Sequence, residues 1–100
     1  MKIIQDSGTY ASNEFFVFEV TGEVTKLECK HLFDDLTISS PDGDILFSWD
    51  MPEFDESKCM LLKAHDNLKD FGNMRINHLF FRTRDPNSKP LKLYINLARN

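Results

Sequence analysis

Apolar and polar residues alternate with period two along most of the chain, the spacing that sends successive side chains to opposite faces of a β-strand. The stretch EFFVFEVTGEV (14–24) sets Phe16, Phe18 and Val20 on one face and Phe15 and Val17 on the other. Apolar side chains on both sides predict a strand covered on both faces. KLECKHLF (26–33) continues the rhythm, with Leu27, Cys29, His31 and Phe33 opposed by Lys26, Glu28 and Lys30.

Two turns punctuate the pattern. Ser40-Pro41-Asp42-Gly43 reads as the turn of a hairpin, with Pro suited to the second position and Gly able to take positive φ. After it, Ile45, Phe47, Trp49 and Met51 alternate with Leu46, Ser48 and Asp50, and Pro52 ends the strand. DPNSKP (85–90) reads as the turn of a second hairpin between strands 73–84 and 91–99. In the last strand Leu91, Leu93, Ile95 and Leu97 point in, while Lys92, Tyr94 and Asn96 point out. With Phe81 opposite Leu93 and Leu79 opposite Ile95, the outer face would carry His78, Phe80, Arg82, Lys92, Tyr94 and Asn96. A slip of one residue would turn Phe80 and His78 inward, and the sequence leaves both registers open.

Residues 57–71 break the rhythm. Met60, Ala64, Leu68 and Phe71 share a helical stripe, with Ser57 placed to cap the start and Gly72 the end. The rival reading is a short strand, CMLLKA, followed by a loop around Asp66-Asn67. The fold class expected is mainly β, a small antiparallel β-sandwich or jelly-roll-like domain, with one short helix over 57–71 packed on it.

At 100 residues the chain is expected to form one domain, and no internal repeat or linker divides it. Nine Phe favour packed sheet faces. The start lacks a secretory apolar core and no apolar run reaches membrane-spanning length, so a soluble, cytoplasmic protein, or part of a particle assembled there, is expected. Two cysteines, Cys29 and Cys59, read as free thiols.

Charge is divided unevenly. Residues 1–56 carry 3 basic and 13 acidic side chains, residues 57–100 carry 9 basic and 3 acidic. Either the two halves intermingle and cancel, or the molecule has an acidic and a basic side that favour head-to-tail association. The overall acidic balance makes nucleic acid a weak partner.

Chemical machinery is sparse. Cys29, His31, Cys59 and His65 supply metal-ligand types, but Cys29 and His31 belong to an apolar stripe and lack the spacing of a structural zinc site. No glycine-flanked nucleophile accompanies the cysteines. The four glycines are scattered, so no phosphate-cradling loop is expected. Asp42 and Asp44 could contribute to a calcium site, although the full loop motif is missing. No catalytic residue, metal or cofactor is therefore expected.

These features point to a non-enzymatic assembly or protein–protein interaction module that self-associates, a structural subunit of a larger complex or particle. The contact residues expected are His78, Arg82, Lys92, Tyr94 and Asn96 on a basic, aromatic face. An acidic patch of Asp50, Glu53, Asp55 and Glu56 would complement them. The alternative is a carbohydrate-binding β-sandwich using Tyr94, Asn96 and His78. A small hydrolase built on Cys29 or Cys59 is a third.

Overall fold

A computed structural model describes residues 2–5, 13–63, 69–71 and 75–99. Nine strands run β1 (Lys2–Gln5), β2 (Asn13–Val20), β3 (Thr25–Phe33), β4 (Asp35–Ser39), β5 (Ile45–Trp49), β6 (Met60–Leu62), β7 (Lys69–Phe71), β8 (Ile76–Thr83) and β9 (Leu91–Ala98). They form a five-stranded sheet A, in the order β1-β3-β8-β5-β6, and a four-stranded sheet B, in the order β2-β9-β4-β7. All neighbours are antiparallel except β1, which lies parallel to β3.

The pairing is nested. Asn13 lies opposite Ala98, Thr25 opposite Phe81, Leu36 opposite Phe71 and Ile45 opposite Leu62. Every rung is thus centred close to Phe54, and β2 to β9 make one long two-stranded ribbon with its tip at residues 50–59. Rolling that ribbon brings β9 beside β4 and β8 beside β5. Two sheets then face each other in a jelly-roll sandwich, as the alternation predicts.

Rolling the ribbon changes what the two turns do. Both were expected to close hairpins, yet 40–44 joins β4 in sheet B to β5 in sheet A, and 84–90 joins β8 in sheet A to β9 in sheet B. Each turn arches across the core instead. Leu79 and Phe81 do join the core with Leu93 and Ile95, but from the facing sheet rather than as cross-strand partners. Their partners in sheet A are Leu27 and Trp49 for Leu79, and Thr25 and Phe47 for Phe81. Phe81 meets Phe18 of sheet B with ring centroids 5.2 Å apart, a contact that ties the layers together. Each fully buried Phe or Leu of this core contributes roughly 2–3 kcal/mol of apolar transfer free energy. Trp49 packs at the edge of the same core, 6.1 Å from Phe47, as its strand parity predicts.

Among the described residues of 57–71 the expected helix is not formed. A 3-10 turn spans Glu56–Lys58, β6 follows at Met60–Leu62, and β7 at Lys69–Phe71. Residues 64–68 and Gly72 lie outside the described residues. The strand reading prevails because β5 needs a partner on its free edge, and Leu62, fully buried opposite Ile45, seals the core there. Tertiary pairing thus overrides a local helical stripe. Strand β1, which the alternation did not reveal, adds a fifth member to sheet A. Between Glu28 and Phe33 the register of β3 against β8 shifts, leaving Leu32 exposed on the bulge.

The arches pack on one another. Thr83 N–H donates to the Thr21 carbonyl at 2.9 Å, so the β2–β3 connection leans on the 84–90 arch. A Cβ added at Gly22 would overlap the backbone carbonyl of Pro86. Gly43, by contrast, does not use the positive φ expected of its turn, and a Cβ there would meet only the mobile end of the Leu91 side chain. Gly22→Ala is therefore expected to lower stability by about 1–3 kcal/mol, and Gly43→Ala by less, in thermal or urea unfolding. Equal effects would argue against this arch-on-arch contact.

Candidate functional site

The expected contact residues fall on opposite sides of the sandwich. In β8, Leu79, Phe81 and Thr83 face the core, so His78, Phe80 and Arg82 face outward from sheet A. In β9, Lys92, Tyr94 and Asn96 face outward from sheet B. The single basic, aromatic face expected from a β8–β9 hairpin does not exist, because those two strands are not neighbours. The carbohydrate trio is divided in the same way, with His78 remote from Tyr94 and Asn96.

On sheet A the outward side chains are not open. Phe80 is only 1% exposed and Arg82 only 9%. The ribbon's tip, residues 50–59, folds back over them as a strap, and its acidic residues make the attachment. Asp50 sits at φ 52, a left-handed conformation uncommon for a residue with a side chain. There its Oδ1 accepts from the backbone N–H groups of Asn77, at 2.8 Å, and His78, at 3.1 Å. These two bonds offset a backbone cost of about 1 kcal/mol. The His78 ring reaches the Met51 carbonyl with its Nε2 at 2.6 Å.

Further along the strap, Phe54 meets Phe80 edge-on at 6.3 Å, and the Arg82 guanidinium lies 5.7 Å above the Phe54 ring. Arg82 also pairs with Glu56 at 2.9 Å and donates to the Thr83 carbonyl at 2.9 Å. Asp55 accepts from the hydroxyl of Ser57 at 2.7 Å and from its N–H at 3.0 Å, capping the 3-10 turn. Those two bonds, the hydroxyl's first, hold the Asp55 carboxyl below its ordinary range. On the other side Lys26 pairs with Glu28 at 2.9 Å and lies 5.6 Å over the Phe80 ring. Of the expected acidic patch, Asp50, Asp55 and Glu56 thus serve the chain's own strap, and Glu53 is exposed upon it.

This arrangement brings parts of the two charge halves together. The acidic half ends at the ribbon's tip, so nesting lays it against the basic half. Glu19 lies opposite Lys92, and Asp44 pairs with Arg84 at 3.4 Å.

Sheet B has a different outer face. Phe15 and Val17 of β2 are 64% and 51% exposed. Val17 lies opposite Tyr94 and Phe15 opposite Asn96, with the Phe15 and Tyr94 rings 6.3 Å apart. Thr37 and Ser39 of β4 flank Asn96 and Tyr94 on the far side. The strip from Phe15 to Ser39 carries no charge, and Glu19 with Lys92 forms an opposed pair at one end. Phe15 and Val17 are the residues that sequence reasoning missed as contacts, because it buried both faces of their strand. The signal was present as apolar residues at both parities of EFFVFEV. What was lacking was that this strand stands at a sheet edge.

The remaining chemistry stays dispersed. Cys29 belongs to the hydrophobic core. Cys59, at the end of the strap, forms no disulfide and is half-buried, and burial pushes its thiol up, away from the reactive thiolate. His65 lies outside the described residues. An open concavity of 420 Å³ between the two arches is lined by Asp42, Asp44, Asp85, Arg84, Ser88, Gly43 and Leu91. Arg84 answers Asp44 there, and Asp85 accepts from the Asn87 N–H at 2.9 Å. Among the described residues no group of three or more metal-type side chains gathers, and no helix is long and apolar enough to cross a membrane.

If the strap is held as described, Arg82→Ala removes an ion pair, a carbonyl bond and a stacking contact together. Denaturant unfolding should show a loss of about 1–3 kcal/mol. Glu56→Ala, whose side chain is 65% exposed, should lose less than about 1 kcal/mol. Compared with protein-family models, with characterised proteins and with solved structures, the chain matches none.

Proposed function

We propose that the protein is a non-enzymatic interaction module that associates with copies of itself, as a structural subunit of a larger assembly, and that the outer face of sheet B is its contact surface. The observation carrying this reading is the exposure of Phe15 and Val17 beside Tyr94. Neighbouring apolar and aromatic side chains left open to water favour association, since covering them removes apolar area from solvent. An uncharged centre with a polar and charged border also fits the anatomy of protein interfaces. Lys92, Tyr94 and Asn96 keep the contact role first assigned to them, and Phe15 and Val17 join them. His78, Arg82 and the acidic residues act one step back, by closing the opposite face.

The non-enzymatic reading is supported by the position of Cys29 inside the core and by the neutral form favoured for the Cys59 thiol. For the carbohydrate alternative, Tyr94 and Asn96 remain together but lack the third group, and the apolar neighbours favour protein.

Association through this strip differs from charge pairing in its response to salt. Sedimentation at low and high salt should show an oligomer that persists or strengthens at high salt, because screening leaves apolar contacts intact. The double variant Phe15→Ser, Val17→Thr should weaken association by about tenfold or more. Its unfolding free energy should stay within about 0.5–1 kcal/mol of the parent. A parent that remains monomeric at high concentration in both salts overturns the reading.

A further inference from the structure

We infer that two copies of this chain join edge to edge through β2, antiparallel and centred on Phe16, so that their B sheets form one continuous sheet. This inference rests on the self-association proposed above and adds to the outer face a contact along the β2 edge, with Phe15 and Val17 common to both. Four observations lead to it.

First, β2 stands at the edge of sheet B, and among the described residues no strand pairs on its outer side. Edge strands are a hazard that proteins blunt by shortness, proline, lysine or a bulge. The other edges follow that rule, with four residues in β1 and three each in β6 and β7. Strand β2 has eight residues, NEFFVFEV, with no proline, lysine or bulge, and its one charge at an inward position is Glu14, opposite Leu97.

Second, β2 is apolar on both faces. Phe16 and Phe18 stack at 5.7 Å on the inner side but are only partly buried, while Phe15 and Val17 are exposed on the outer side. A partner strand alongside β2 would cover both pairs at once, whereas a partner stacked on the outer face would leave Phe16 and Phe18 as they are.

Third, the sequence of β2 is self-complementary in one antiparallel register. A two-fold axis at Phe16 keeps inner residues with inner and outer with outer, as pleating requires. It sets Phe15 against the second copy's Val17, Phe16 against its own counterpart, Asn13 against Glu19 and Glu14 against Phe18, so no like charges oppose and one carboxylate per strand meets an apolar side chain. Moving the axis to Val17 would oppose both Phe15 to Glu19 and Glu14 to Val20, two carboxylates per strand against apolar side chains. Fourth, Glu19 at the end of the seam lies in register with Lys92 of its own protomer, so charge of both signs borders that end.

Amide hydrogen exchange of the intact chain, followed from micromolar to millimolar concentration, tests the inference. Edge pairing engages the outward backbone groups of β2, so alternate amides within 13–20 should slow by about tenfold or more as the oligomer forms. In a Cys59→Ser background, the double variant Asn13→Cys, Glu19→Cys should form disulfide-linked dimers under a mild thiol oxidant, since opposed antiparallel residues lie within disulfide reach. Neither single variant should do so. If the chain associates without slowing of β2 amides and without that cross-link, edge pairing is overturned while the outer-face reading stands. A chain that stays monomeric throughout overturns both. A monomer whose β2 amides slow only on adding a different extended polypeptide assigns the edge to another partner and also overturns the inference.

Discussion

The antiparallel pairing of residues equidistant from Phe54 is the constraint to which the other features answer. Once β2 lies with β9, β3 with β8, β4 with β7 and β5 with β6, the chain is a ribbon with apolar side chains along one face. A ribbon of that length hides its apolar face only by rolling on itself. Rolling makes β9 a neighbour of β4 and β8 a neighbour of β5, and it turns the connections at 40–44 and 84–90 into arches. The close approach of Gly22 to Pro86 follows from two such connections sharing one end of the sandwich. The position of the strap follows too, because residues 50–59 form the ribbon's tip and lie beside the outer side of β8.

Much of this was legible in the sequence, and the part that was not has a definite physical origin. Alternation reports which side of a strand faces apolar neighbours. It therefore placed Leu93, Ile95, Ile45 and Phe47 in the core correctly, and left Leu79 and Phe81 in balance with His78 and Phe80 because strand 73–84 is apolar at both parities. It does not report whether two consecutive strands share a sheet, since an arch and a hairpin both bring apolar faces to one core. Hence His78 and Arg82 were grouped with Lys92, Tyr94 and Asn96, although a whole sandwich separates them. The helical stripe at 60–71 failed for a related reason. Leu62 lies off that stripe, and the vacant edge of β5 takes it as a strand residue opposite Ile45.

The candidate surface was half legible. Tyr94 and Asn96 could be assigned outward from the clean leucine stripe of β9. Phe15 and Val17 could not, because a strand apolar on both faces reads as interior wherever its place in the sheet is unknown. The acidic residues at 50–56 illustrate the converse. Their density suggested a docking patch, yet Asp50 and Glu56 hold the strap to β8, and the charge they carry is largely answered inside the protomer. Charge that is uneven along a sequence is brought partly together in space when the dividing point coincides with the centre of a nested fold.

The nested order also governs how the chain can be made. Synthesis delivers the N-terminal member of each pair first, and β2, the earliest long strand, receives its partner last. Until β9 leaves the ribosome, both edges of NEFFVFEV are bare, beside three phenylalanines. Only β5 and β6 are close enough in the chain to pair cheaply, and each further rung closes a modest loop once the previous one has formed. Assembly from the tip outward therefore leaves the stickiest segment waiting longest, with its apolar edges open to misassociation in the interval.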